Sequence, residues 1–214
     1  MGAKTWMLVY SEGNQKDVLK SKPILDRGAT EAFAKKLFPA EKLEALDEGT
    51  LLFTSPPSNE LVVGCFPGIC IVAAEEFGID YPSKLPAHFL DPAKHQTLYL
   101  HAMHSVVDWF AYAIWNGGKL RRSLSLSPDS GLLEDIGVRL PFEEPYWAGV
   151  HPASDPTEED SNYPFPFHPL ELGEAALLDL FGYQLEGTLH PSHLEPEDIP
   201  LMRFKRSKSW WRWR

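Results

Sequence analysis

Residues 97–128 read TLYLHAMHSVVDWFAYAIWNGGKLRRSLSLSP, two β-rich runs separated by Asn116-Gly117-Gly118. Asn-Gly and Gly-Gly both make good two-residue hairpin loops, because they accept the φ > 0 that such turns demand. The two loop choices change the pairing sum by an even step, so the same residues share a face in either register. One face combines Trp109, Ala111, Ala113 and Trp115 with Leu120, Arg122, Leu124 and Leu126, and reads as core. The other combines Asp108, Phe110, Tyr112 and Ile114 with Lys119, Arg121, Ser123, Ser125 and Ser127. Aromatic on one strand and hydroxylic or basic on the other, it suits partial cover by a helix or a ligand surface. Tyr112, Arg121 and Ser123 are its candidate binding residues.

Outward from this hairpin, residues 4–10 (KTWMLVY) read as a first strand, and residues 15–22 and 29–38 as helices separated by Pro23. Ala32, Phe33, Lys36 and Leu37 form the expected inner stripe of the second helix. Residues 51–54, 61–66 and 69–74 read as short buried strands, the last two joined through Pro67-Gly68, which suits a type II turn. Residues 82–90 are a weak helix candidate and 132–138 a further strand. Pro169 to Leu180 has Pro in its first turn, Glu171 and Glu174 at its positive end, and Gly182 as its stop. Leu170, Ala175, Leu178 and Phe181 are its expected inner face. The fold class is α+β: a mixed, mainly antiparallel sheet with a central β-hairpin over about 97–127 and packing helices over about 29–38 and 169–181. One domain is expected over 1–204, including a proline-rich acidic loop over about 141–168, followed by a basic, Trp-rich tail over 205–214. Tyr146, Trp147, Tyr163, Phe165 and Phe167 interrupt the loop and pin it onto the body.

A chain of 214 residues with 43% hydrophobic side chains buries a core without metal or disulfide support. Cys65 and Cys70 each sit in an apolar run and read as free, buried thiols. The N-terminal residues lack the long apolar region of a secretory signal, and no run reaches the length of a membrane span, so a cytoplasmic location is expected. Six basic and no acidic residues fall in 201–214, leaving 14 basic against 30 acidic in residues 1–200. Such an acidic body repels nucleic acid. The tail suits docking on an acidic surface, its own body or a second copy.

His101, His104 and Asp108 form the closest approach to an acid–base or metal cluster. In an extended strand, however, His101 and His104 point to opposite faces, whereas His104 and Asp108 share one. Ser105 lacks a nucleophile elbow. The pairs Glu75-Glu76 and Glu143-Glu144 read as solvated loop acids. His151, His168, His190 and His193 match no zinc spacing. With no phosphate-binding glycine motif either, no cofactor and no metal is expected.

The segments AKTWMLVY (3–10), LHAMHSVVDWFAYAIW (100–115), GKLRRSLSLSPDSG (118–131) and PFHPLELGEAALLDLFGY (166–183) together resemble a family of bacterial proteins of unknown function. The resemblance runs to about Phe204 and implies no activity, cofactor or catalytic residue. Two readings follow from the residues themselves. The first is a non-enzymatic binding or regulatory protein, of the immunity or antitoxin kind, that recognises a protein partner or self-associates. The second is a small hydrolase or metal-dependent enzyme using His104 and Asp108 near a pocket roofed by Tyr146 and Trp147.

Overall fold

The structure, a computed structural model, describes residues 2–153, 163–187 and 190–208. In chain order its elements are β1 (Lys4–Ser11), α1 (Gln15–Lys20), α2 (Arg27–Leu37), β2 (Glu41–Ala45), β3 (Gly49–Thr50), β4 (Glu60–Phe66), β5 (Ile69–Ala73), α3 (Ala87–Leu90), β6 (Thr97–His104), β7 (Trp109–Asn116), β8 (Lys119–Ser127), β9 (Gly131–Gly137), α4 (Glu144–Trp147), α5 (Pro169–Phe181) and β10 (Pro200–Lys208). Among the described residues the strands form one sheet in the order β2-β10-β4-β5-β1-β6-β7-β8-β9, with β3 also pairing β10. Every pairing is antiparallel, so the fold is α+β and the sheet is not mixed.

Both faces are covered. Met7, Val9, Phe110, Tyr112, Leu124 and Leu126 bury one face together with Leu172, Ala176, Leu177 and Phe181 of α5. Leu8, Tyr10, Trp109, Ala111 and Trp115 bury the other with Ala34 and Leu37 of α2 and Phe89 of α3. Two residues of α5 on adjacent turns, Gly173 and Ala176, bring the helix close to the sheet. A Cβ on Gly173 would meet Met103 Sδ and Phe110 Cδ2 at 3.1 Å. The buried face of α5 therefore runs through Leu172, Gly173, Ala176, Leu177 and Leu180, not through Leu170, Ala175 and Leu178. So much of this helix is apolar that its composition alone selects no stripe. In α2 the buried residues are Thr30, Ala34 and Leu37, while Ala32 and Lys36 are exposed.

The central hairpin departs from its sequence reading in two ways. Residues 97–115 are not one run but two strands, β6 and β7, folded back at Ser105–Asp108, where Asp108 takes φ 47°. The Gly117-Gly118 loop pairs Asn116 with Lys119, but the register shifts between Ile114 and Trp115, so that Trp115 pairs Leu120 and Ile114 pairs Arg122. Arg121 is the extra residue of this bulge. One inserted residue exchanges faces: Arg122, Leu124 and Leu126 join Phe110 and Tyr112, and Ser123, Ser125 and Ser127 join Trp109 and Ala111. The parity argument holds for the loop and fails across the bulge.

Gly137 makes the bulge possible. It sits at φ 87°, and a Cβ there would strike the Arg121 carbonyl oxygen. Gly137→Ala is expected to destabilise the protein by about 2 kcal/mol, from left-handed backbone strain and the displaced bulge. A urea midpoint unchanged from wild type would show that the bulge does not need glycine.

Strands β2 and β10 have no counterpart in the sequence reading, and residues 51–54 are not a strand. β10 lies inside the sheet, between β2 and β4, and extends past residue 204 to Lys208. Its Arg206 is bonded to both Glu41 and Glu76 and lies 4.7 Å from the Phe38 ring. The rest of the basic tail, 209–214, lies outside the described residues. The outer strand β2 carries Glu41, Lys42 and Glu44, charges that discourage edge-to-edge pairing.

Cys65 and Cys70 are not free thiols. They oppose each other across β4 and β5 and are joined as a disulfide. The apolar runs correctly signalled the burial of Cys65, but Cys70 is only partly buried, and they hid the pairing that the hairpin imposes.

Candidate functional site

The start of α5 is built around His168. Its N-cap position follows from the next residue, Pro169, whose fixed φ suits the first helical position and which has no N–H to satisfy. The His168 Nδ1 accepts the Leu170 N–H at 3.3 Å. An accepting Nδ1 leaves the ring proton on Nε2, which faces Asp108 Oδ2 at 3.6 Å. Asp108 therefore does meet a histidine, but it is His168.

On the following turns Glu171 and Glu174 face a cleft of 520 Å³ shared with Tyr146, His151, His168 and Glu186. Glu174 accepts backbone N–H groups from Leu185 at 2.8 Å and Glu186 at 3.2 Å. Burial nevertheless pushes its carboxyl up to about 7. Tyr146 stacks on His151 with ring centroids 4.5 Å apart and meets Phe167 edge-on at 5.8 Å. Burial, with help from the Glu171 carboxylate, raises the pKa of the Tyr146 hydroxyl above its ordinary value. Aromatic walls around several carboxylates suit a cationic group, through charge and through the ring faces.

A buried network fixes the wall that carries Tyr146. Glu143, the residue before α4, is fully buried and accepts from Tyr112 Oη at 2.5 Å, Arg122 Nε at 2.9 Å, Arg122 Nη2 at 2.6 Å and the Leu140 N–H at 2.7 Å. Arg122 also donates to Asp135 at 2.5 Å and to the Ile136 carbonyl at 3.0 Å. Burial would lower the Arg122 pKa, but the two carboxylates more than compensate and raise it. Glu143 is thus no solvated loop acid. It is the post that ties the 140–149 segment to β7 and β8.

The sequence-derived candidates fall in separate places. His101 is fully buried under α5, with Nδ1 2.7 Å from Thr5 Oγ1 and Nε2 3.0 Å from the Gly173 carbonyl. His104 points to the opposite face, beside Trp6 at 5.7 Å between ring centroids. His101, His104 and Asp108 do not converge. Tyr112 is buried in the Glu143 network, and Ser123 is buried and bonded to Glu134. Arg121 is the exposed bulge residue. Tyr146 borders the cleft, whereas Trp147 packs edge-on against Phe167 at 4.9 Å beneath the Arg139 guanidinium. His168, Glu171 and Glu174 complete the cleft. Their one legible signal was their place at the start of a helix that follows an aromatic loop.

Among the described residues, no group of three or more His, Cys, Asp or Glu side chains is placed to hold a metal ion, and no helix is long and apolar enough to cross a membrane. No curated protein and no solved structure matches the chain. A family model does match, over residues 5–204, which takes in every element that forms the cleft and its supporting network. The chain accordingly belongs to a family of unknown function (DUF6928).

Proposed function

We infer that the protein is a non-enzymatic binding or regulatory protein, of the immunity or antitoxin kind, that holds a basic segment of a protein partner at the cleft beside α5. The observation that carries this reading is the cleft itself, where Glu171, Glu174 and Glu186 lie among Tyr146, His151 and His168. The excess of 30 acidic over 20 basic residues adds a long-range field that favours a cationic partner and speeds its approach. The buried Glu143 network supports it too, because a rigid wall reduces the ordering cost of binding.

Affinity capture with the tagged full chain, followed by mass spectrometry, tests the reading. A partner retained by wild type is expected to be lost with Glu171→Lys, with binding weakened about tenfold or more and wild-type binding falling as salt rises. A partner held equally well by Glu171→Lys would remove the cleft from recognition, and capture of none across growth conditions would count against the whole reading.

The enzyme reading retains one favourable observation, the approach of His168 Nε2 to Asp108. A broad hydrolase screen with wild type and His168→Ala addresses it. Any activity that survives the substitution does not use this pair.

A further inference from the structure

We propose that Cys65 and Cys70 form a reversible thiol–disulfide switch that sets how firmly α2 is anchored to the sheet. The pair lies at one end of the β4–β5 hairpin, one residue outside the Phe66–Ile69 pair that closes its turn. Their Cα atoms are 4.2 Å apart, the close spacing of a non-hydrogen-bonded antiparallel pair. The backbone groups of Cys65 consequently point away from β5. The neighbouring strand β10 does not receive them, since its pairing with β4 reaches only from Glu60 to Val63.

The start of α2 receives them instead. The Cys65 N–H donates to Thr30 Oγ1 at 2.9 Å, and the Cys65 carbonyl accepts the Asp26 N–H at 2.9 Å. Asp26 is the N-cap of α2, its carboxylate accepting the Ala29 N–H at 2.9 Å, and the Thr30 hydroxyl donates to the Asp26 carbonyl at 2.6 Å. A single residue thus joins the sulfur bridge to the capped first turn of a helix. Opening the bridge removes the covalent tie at a pair that has no ladder hydrogen bond of its own, and so loosens the residue on which that turn rests.

Position favours a chemical role for this bond over a structural one. The cysteines are five residues apart, and a bridge that closes so short a loop restrains the unfolded chain least. Cys65 is buried, whereas Cys70 is only partly so. An incoming thiolate of a dithiol reductant therefore attacks the Cys70 sulfur, and the Cys65 thiolate leaves and takes up a proton. The reductant's second thiolate then attacks its own sulfur in the mixed disulfide and releases Cys70. One dithiol is oxidised to a disulfide as the protein pair is reduced to two thiols. An oxidised small-molecule disulfide reverses the process, yielding two free thiols of its own.

The test uses the full chain, cycled between oxidised glutathione and dithiothreitol. Thiol alkylation read by mass spectrometry reports the bond, and amide hydrogen exchange across 27–37 reports the helix. Expected are no alkylation of the folded protein after oxidation, alkylation of both cysteines after reduction, and exchange in α2 about tenfold faster in the reduced form, reversibly. Cys70→Ser is expected to show the faster exchange under either condition. Free thiols persisting after oxidation would overturn the proposal, as would a bond that forms and breaks without altering exchange in α2. The wild-type cycle decides the matter even if the variant does not fold.

Discussion

Glu143→Gln is expected to lower the stability of the protein by about 3–5 kcal/mol, seen as a fall in the urea midpoint with little change in slope. Glu143 and Arg122 are almost completely buried, and each is the other's buried ionic partner. A glutamine keeps the shape but loses the charge, and its amide nitrogen must take the place of one oxygen. That oxygen accepts either the Arg122 Nη2 or the group formed by Tyr112, Arg122 Nε and Leu140. Donor then faces donor in a buried site, and the guanidinium keeps only the partly exposed Asp135 as an ionic partner. A double change to Arg122→Met and Glu143→Leu removes both charges and is expected to cost less than Glu143→Gln alone, because an unpaired buried charge is worse than none. Single and double variants of equal, small effect would show that the network is not a structural post. The same comparison tests the cleft, since loss of Glu143 frees the first turn of α4 and with it Tyr146.

What the sequence disclosed depended on whether a signal was local. The hairpin loop at Asn116-Gly117-Gly118, the β4–β5 turn at Pro67-Gly68 and the capped helix from Pro169 to Gly182 each have their cause within a few residues, and all three appear in the fold. The bulge at Arg121 has its cause at Gly137, on another strand, and the resulting exchange of faces could not be read from 109–127 alone. β10 reads LMRFKR over 201–206, where Met202 and Phe204 alternate with cations; the basic run disguised a strand that the sheet places at an interior position. The candidate site depended on still longer contacts. Asp108 and His168 are sixty residues apart, and Glu143 looked like its solvent-facing neighbour Glu144 until Arg122 was placed opposite it.

The second large effect expected is a loss of stability in acid governed by His101, which Glu174 masks in the wild type and which Glu174→Gln exposes in full. The Gly173 carbonyl can only accept, so His101 Nε2 carries the proton and Nδ1 accepts the Thr5 hydroxyl. The neutral ring satisfies both contacts, and burial pushes its pKa down from 6.5 to about 4. The unfolded chain therefore binds this proton more readily than the native one. Its contribution is fully present above pH 6.5 and is lost as pH falls to about 4, a loss of about 3 kcal/mol for a fully buried group. Glu174 acts in the opposite sense. Its carboxyl is raised from 4.5 to about 7, so the stability it contributes is present below pH 4.5 and is lost as pH rises through 7. Between these limits the two groups pull against each other and flatten the wild-type profile. Unfolding midpoints measured across this range should separate them. His101→Gln is expected to lower stability at neutral pH yet leave a curve that no longer falls in acid on this residue's account. Glu174→Gln should hold its stability better on the alkaline side and fall more steeply in acid, with the effect of His101 unopposed. A His101→Gln curve parallel to wild type from pH 6.5 to 4 would show that the imidazole takes up its proton without opening the contact between α5 and the sheet.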